Sequence, residues 1–228
     1  MKAYRDETTG RWHSDLPDVF DLICQKLRDR EPFSFARYGD GEFNAIYGKQ
    51  GRNCDGHEYF PDLGKRLREA LESKPNYIVG LQPLTLASDR WPQIQKDFPD
   101  IQWVDADSIH NASIDGRLDM LFDALKEYNV HVIGPQHLAR FKTNEWSFTF
   151  VPEQNCWLEY ERIRSSAAYW WKEQFSPYVT LLSCGMMAEV LLHDINFLDG
   201  MTIIDMGSVL DPYVGVKSRR YHHKLNLL

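Results

Sequence analysis

The sequence predicts an α/β fold: one domain built on a mostly parallel sheet with helices on both faces. Three observations carry this. Short apolar, strand-like runs alternate with segments of helical periodicity, as in successive βαβ units. The segments with reactive side chains fall at the carboxyl ends of those runs, where open parallel sheets place their ligands. The 228 residues, 43% hydrophobic and 26% charged, suit a single substantial core.

The elements follow in order. Leu16 to Arg30 sets Val19, Phe20, Leu22, Ile23 and Leu27 on one side of a helix. Phe33 to Ala36 is a short strand. Leu63 to Leu71 is helical and leads to the strand Tyr77 to Leu81. A weaker helix, Trp91 to Asp97, precedes Gln102-Trp103-Val104. Ile114 to Glu127 forms a helix through Leu118, Leu121, Phe122 and Leu125, feeding the strand Val130 to Ile133, which stops at Gly134-Pro135. Trp146 to Val151 is the next strand, and Asn155 is placed to cap a long helix through Trp171. Tyr178 to Leu182 is a strand, Gly185 to His193 a helix, and Met201 to Asp205 the last strand. One domain is expected over residues 1–228, with 1–14 flexible and 212–228 a C-terminal tail or flap.

A formal net charge of -7 argues against a broad nucleic-acid-binding surface, while leaving room for a local basic pocket. Cys24, Cys54, Cys156 and Cys184 contain no CxxC pair and fit neither a structural zinc site nor a small disulfide framework. Met1 to Asp6 lacks the apolar stretch of a signal peptide, and no segment is long enough to span a bilayer. A soluble protein in a reducing compartment is expected.

The richest segment is Arg37-Tyr38-Gly39-Asp40-Gly41-Glu42, directly after the first strand. In an extended loop, Asp40 and Glu42 would project to the same side and could share one hard divalent cation. Arg37 could grip a phosphate oxygen. The competing reading is a Gly-Asp-Gly turn with Glu42 in the first turn of a helix. Ser183-Cys184-Gly185 links a strand to a helix and offers backbone N–H groups to an anion, or is simply a tight connection. Asp205, with Gly207 and Ser208, stands where the last strand emerges; it could hold a hydroxyl or a metal-bound water, or cap a turn. Gly134-Pro135-Gln136-His137 and Pro152-Glu153 are further strand-end loops. Lys217 to Lys224, including Arg219, Arg220, Tyr221, His222 and His223, is the densest positive charge. It reads as a solvated tail or as a flap over a diphosphate.

Phe35 to Glu42 resembles the R-[FY]-G-D-G-E segment of the glycosyltransferases with the GT-D fold, first catalogued as a domain of unknown function in bacterial surface-glycan clusters. Val151 to Trp157, Ser183 to Asp194 and Ile204 to Ser208 resemble later segments of that family, in the same order. The resemblance implies a Rossmann-like transferase that binds manganese or magnesium and a UDP-sugar through its DxE motif. Asp40 and Glu42 would be the metal and diphosphate carboxylates, with Arg37, Gly39 and Gly41 in the same motif. It also implies a glycan or lipid-linked glycan acceptor and action on the cytoplasmic side of a membrane. Pro135, Ser183, Gly185, Asp205 and Ser208 are the further strand-end positions expected to meet the donor. An acceptor base is expected among Glu153, Asp211 and His137. The alternatives are a metal-dependent phosphohydrolase, which needs a fuller acidic cluster, and a nucleotide-binding module without turnover.

Overall fold

The computed structural model of the chain describes residues 1–141, 146–173, 177–196 and 200–225. In chain order the elements are β1 (Ala3–Arg5), β2 (Trp12–Ser14), α1 (Phe20–Arg28), β3 (Ser34–Tyr38), α2 (Asp40–Ile46), α3 (Pro61–Glu72), β4 (Ile78–Leu81), α4 (Pro83–Leu86), α5 (Trp91–Asp97), β5 (Trp103–Asp105), α6 (Ser108–Ile114), α7 (Asp119–Leu125), β6 (Asn129–Pro135), β7 (Trp146–Val151), α8 (Tyr160–Glu173), β8 (Tyr178–Leu182), α9 (Met187–Ile195) and β9 (Thr202–Asp205).

Seven strands form one sheet in the order β5-β4-β3-β9-β8-β6-β7, and every pairing in it is parallel. The expected α/β class is the observed one. Because neighbouring residues of a strand face opposite sides, each central strand feeds two cores. Ala36, Tyr38, Leu182 and Ile203 pack in the cluster on one face; Phe33, Phe35, Leu181 and Ile204 pack in the cluster on the other. The last strand, β9, is inserted between β3 and β8. Strands β3, β4 and β5 run outward from it on one side, and β8, β6 and β7 lie on the other. The reversal of strand order falls here, at the carboxyl ends of β3, β9 and β8, the kind of position where ligands bind in open parallel sheets.

Local chemistry explains where the observed elements depart from the sequence expectation. The helix expected over 114–127 is the shorter α7, Asp119–Leu125; Ile114 instead ends α6, and Gly116, at φ +70, turns the chain between the two. Asn155 does not cap α8. It sits in the left-handed region, its side-chain oxygen accepts the Glu58 N–H at 2.8 Å, and a 3-10 turn over Cys156–Glu159 precedes the helix. Gly185, at φ +61, delays the start of α9 to Met187. Residues 1–14 carry the antiparallel β1–β2 ribbon, tied down where Arg11 donates to Asn111 and Asp115.

Candidate active site at the strand ends

The turn after β3 is set by a close approach. A Cβ on Gly39 would lie 2.1 Å from Oε1 of Gln82, so a side chain there would have to displace the Gln82 amide. Helix α2 starts at once, and the Glu42 carboxylate turns back to accept the Gly39 N–H at 2.8 Å. This corrects the expected extended claw. In a helix, residues two apart diverge by roughly 200°. Asp40 is accordingly exposed, while Glu42 is half-buried with its carboxyl directed inward. Burial pushes the Glu42 pKa up to about 7, helped by the negative charges of Asp205 and Asp40 and opposed by the N–H bonds.

Beneath Glu42 lie two more carboxyls. Asp205 ends β9, is 4% exposed, and accepts the Gly207 N–H at 2.8 Å. Glu189 projects from α9 and is 2% exposed. Burial first, and then the charges of Glu42 and Asp205, hold the Glu189 pKa well above the usual carboxylate range. Asp205 is also raised by burial, but Arg37, the Gly207 N–H and a hydrogen bond from Glu189 pull against that rise. Of the two, Glu189 holds its proton the more strongly. Its Oε2 has no partner. Sequence reasoning missed Glu189. Its signal was a single acid within Met186 to Leu192, a stretch that is otherwise wholly apolar.

Arg37 is 8% exposed and engaged by the protein. Nε donates to the Ala106 carbonyl at 2.7 Å, and Nη2 donates to Nδ1 of His110 at 2.8 Å, with Asp107 at 3.6 Å. Burial, then the charge of Arg37, holds the His110 pKa well below its usual value, leaving a neutral ring to accept that bond. The guanidinium also underlies Gly207: a Cβ there would lie 2.2 Å from Nη1, and φ is +53. Arg37 thus ties the ends of β3, β5 and β9 together.

Beside this cluster a cleft of about 380 Å³ is lined by Pro135, Glu153, Ser183, Gly185, Ser208 and Asp211, six of the positions expected from sequence. His137, Gly207, Ser218, Arg219, Asp55 and His57 complete much of the wall. The Ser183 hydroxyl is buried without a partner in this wall. Glu153 is exposed. His137 Nε2 and Asp211 Oδ1 are 2.9 Å apart, and the Ser218 hydroxyl donates to the other Asp211 oxygen.

The DxE segment and the cleft share one covering loop, residues 51–58, which sequence reasoning passed over. Its glycine-flanked polar run, Gly51-Arg52-Asn53-Cys54-Asp55-Gly56, was the available signal. Asn53 organises the loop by accepting the N–H groups of Asp55 and His57. A Cβ on Gly41 would touch Met186 and Asn53, and one on Gly185 would lie 3.2 Å from His57. The tail reaches the same loop, where both Arg219 Nη groups pair with the Asp55 carboxylate. His222 is fully buried; the Arg220 side chain lies outside the described residues. A larger hollow, about 580 Å³, borders Leu71, Tyr77 and Gln102 at the amino ends of the strands, away from these groups.

Among the described residues no helix is long and apolar enough to cross a membrane. No group of three or more His, Cys, Asp or Glu among them is disposed to hold a metal ion.

The fold is that of a class of glycosyltransferase-fold domains. The chain is similar to a solved structure of domain of unknown function 1792, described as having a distinct glycosyltransferase fold, at 16% identity and a TM-score of 0.64, covering 84% of this chain and 77% of that one. It is similar also to a structure described as a new glycosyltransferase (DUF1792) from Streptococcus sanguinis, at 18% identity and a TM-score of 0.63, covering 85% and 81% of the two chains. No family model and no curated protein matches the sequence.

Proposed function

We propose that the protein is a glycosyltransferase that takes a sugar from a nucleotide-diphosphate donor, UDP-linked, with manganese or magnesium as cofactor. The acceptor would be a glycan or lipid-linked glycan at the cytoplasmic side of a membrane. The observation that supports this reading best is the position of Asp40 and Glu42. They stand at the carboxyl end of β3, at the reversal of strand order, in a fold shared with glycosyltransferase-fold domains.

A cation here would take most of its ligands from the substrate, because Asp40 and Glu42 leave α2 in different directions. Asp40 is open to solvent, and Glu42 spends one oxygen on Gly39 and keeps the other. One or two carboxylates plus phosphate oxygens is the usual holding of magnesium-like ions in nucleotide sites. Burial and the neighbouring carboxyls raise the Glu42 pKa to about 7, and a cation bound there would favour its ionised form. When bound, the metal would neutralise negative charge developing on the departing diphosphate. The protein's own residues do the rest. Ser183 and the backbone around Gly185 meet the donor, and Arg37 keeps the three strand ends in register. Arg219 lines the same cleft, its charge matched by Asp55 until a diphosphate competes for the guanidinium.

One observation favours the phosphohydrolase alternative: Glu42, Glu189 and Asp205 form a fuller acidic cluster than the sequence revealed. Isothermal calorimetry with UDP tests the proposal. Binding that requires manganese and disappears in Asp40→Ala supports the transferase site, whereas metal-independent binding, or none, refutes it. Release of inorganic phosphate from UDP would instead identify a phosphohydrolase.

A further inference from the structure

We propose that His137 accepts the proton of the acceptor hydroxyl, that Asp211 positions it, and that transfer therefore inverts the anomeric centre; this rests on the glycosyltransferase reading above. His137 follows Pro135, the last residue of β6, in the 3-10 turn Gln136–Arg140, and Asp211 opens the 3-10 turn Asp211–Val214 beyond β9. The sheet brings these two distant segments face to face across the cleft that holds Ser183 and Gly185.

The pair has the geometry of a base and its orienting group. His137 Nε2 lies 2.9 Å from Asp211 Oδ1, and the Ser218 hydroxyl fills the second oxygen. Asp211 is 6% exposed, so its carboxylate is committed on both sides and held in place. That arrangement fixes the imidazole proton on Nε2 and leaves Nδ1 to accept a proton. The two rival acids are less suited. Glu153 is exposed on the rim, and Asp211 has its oxygens already engaged. The ionisable groups that line the cleft with His137 are Asp211 from the segment after β9, Glu153 from the loop after β7, Asp55 and His57 from the covering loop, and Arg219 from the tail. His222, fully buried, feels the Asp211 charge from behind.

In the step, the acceptor O–H proton passes to Nδ1 of His137. The released oxygen pair forms the bond to the anomeric carbon. The bond from that carbon to the β-phosphate oxygen breaks, and its electron pair leaves with the diphosphate. The imidazolium then returns its proton to solvent. Attack opposite the leaving group inverts the configuration.

The experiment uses UDP-glucose, UDP-galactose and UDP-N-acetylglucosamine with manganese and water as acceptor. UDP release is followed together with the anomer of the sugar, read by proton NMR before mutarotation. The expected first product is the β-anomer from these α-linked donors. His137→Gln should lower kcat by roughly 10²–10⁴-fold while manganese-dependent UDP binding, read by calorimetry, stays within about threefold of wild type. Added imidazole should restore turnover to His137→Ala, and Asp211→Asn should alter the acid side of the pH–rate profile more than it alters UDP binding. An α-anomer, or turnover of His137→Gln within about threefold of wild type, overturns the assignment while leaving the donor site standing. A wild-type protein that binds UDP but releases none from these donors overturns it too. Absence of UDP binding by the wild type removes the transferase reading and this assignment with it.

Discussion

Replacing Glu42 by glutamine probes the buried carboxyl cluster directly. The Glu42 pKa lies at about 7 in the fold against 4.5 in an open chain. Each pKa unit corresponds to about 1.4 kcal/mol, so the difference between the two states amounts to about 3 kcal/mol. The sign follows from the direction of the shift. Because the folded value is raised, the carboxyl's contribution to stability is complete below pH 4.5 and declines as pH rises through 7. Glutamine keeps an oxygen to accept the Gly39 N–H but cannot ionise. Urea unfolding in the presence of a chelator, between pH 4.5 and 8, is the assay. Wild type should lose about 3 kcal/mol relative to Glu42→Gln across that window, the variant becoming the more stable protein at the alkaline end. A stability difference that stays flat over the window would refute the claim that the cluster disfavours the Glu42 charge.

Other outcomes follow from the same structure. His131 is 1% exposed, and burial lowers its pKa to about 4 from 6.5, so its contribution is present above 6.5 and lost on acidification towards 4. His131→Gln should flatten that acid limb, worth about 3 kcal/mol, in denaturant titrations. Gly39→Ala drives a methyl into the Gln82 side chain and should cost roughly 1–3 kcal/mol; adding Gln82→Ala should recover most of the loss in melting temperature. Gly64→Ala meets the Ala45 backbone carbonyl at 2.1 Å, where no side-chain change gives relief, and should lower the melting temperature whatever its neighbours. Asp40→Ala, at an exposed position, should leave the chelator-treated melting temperature within about 0.5 kcal/mol equivalents of wild type. The same variant should lose the stabilisation by manganese plus UDP, which at a hundred times Kd amounts to about 2.7 kcal/mol in wild type.

The α/β class was legible because each central strand is apolar on both faces and each covering helix is not. Placement of the last strand was not legible. Thr202-Ile203-Ile204-Asp205 reads as a buried parallel strand, but nothing local says that it inserts between β3 and β8. Helix α2 was legible only as the competing reading, with Glu42 in a first helical turn; what decides for it is the Gly39 N–H donating to the Glu42 carboxylate. That single bond decides which way the two carboxylates face. Asp205 was visible as a strand-end acid, whereas Glu189 passed as part of an apolar helix because its neighbour Asp205 ends a strand that follows it in sequence. His137 and Asp211 were each named as candidates, yet their pairing is a tertiary fact. It depends on β6 and β9 flanking β8, with their carboxyl ends on the same edge of the sheet. Arg37 was read as a phosphate ligand from its motif; the burial that turns it onto Ala106 and His110 is set by β5 and α6, remote in sequence.

The most direct test of the central claim is turnover of nucleotide sugars. Wild-type protein, incubated with manganese and a panel of UDP-, GDP- and ADP-linked sugars, is followed by mass spectrometry for the released nucleotide. The expected result is release of UDP from at least one UDP-sugar, abolished by chelator and by Asp40→Ala. Intact donors throughout the panel, or release that persists in Asp40→Ala, would contradict it.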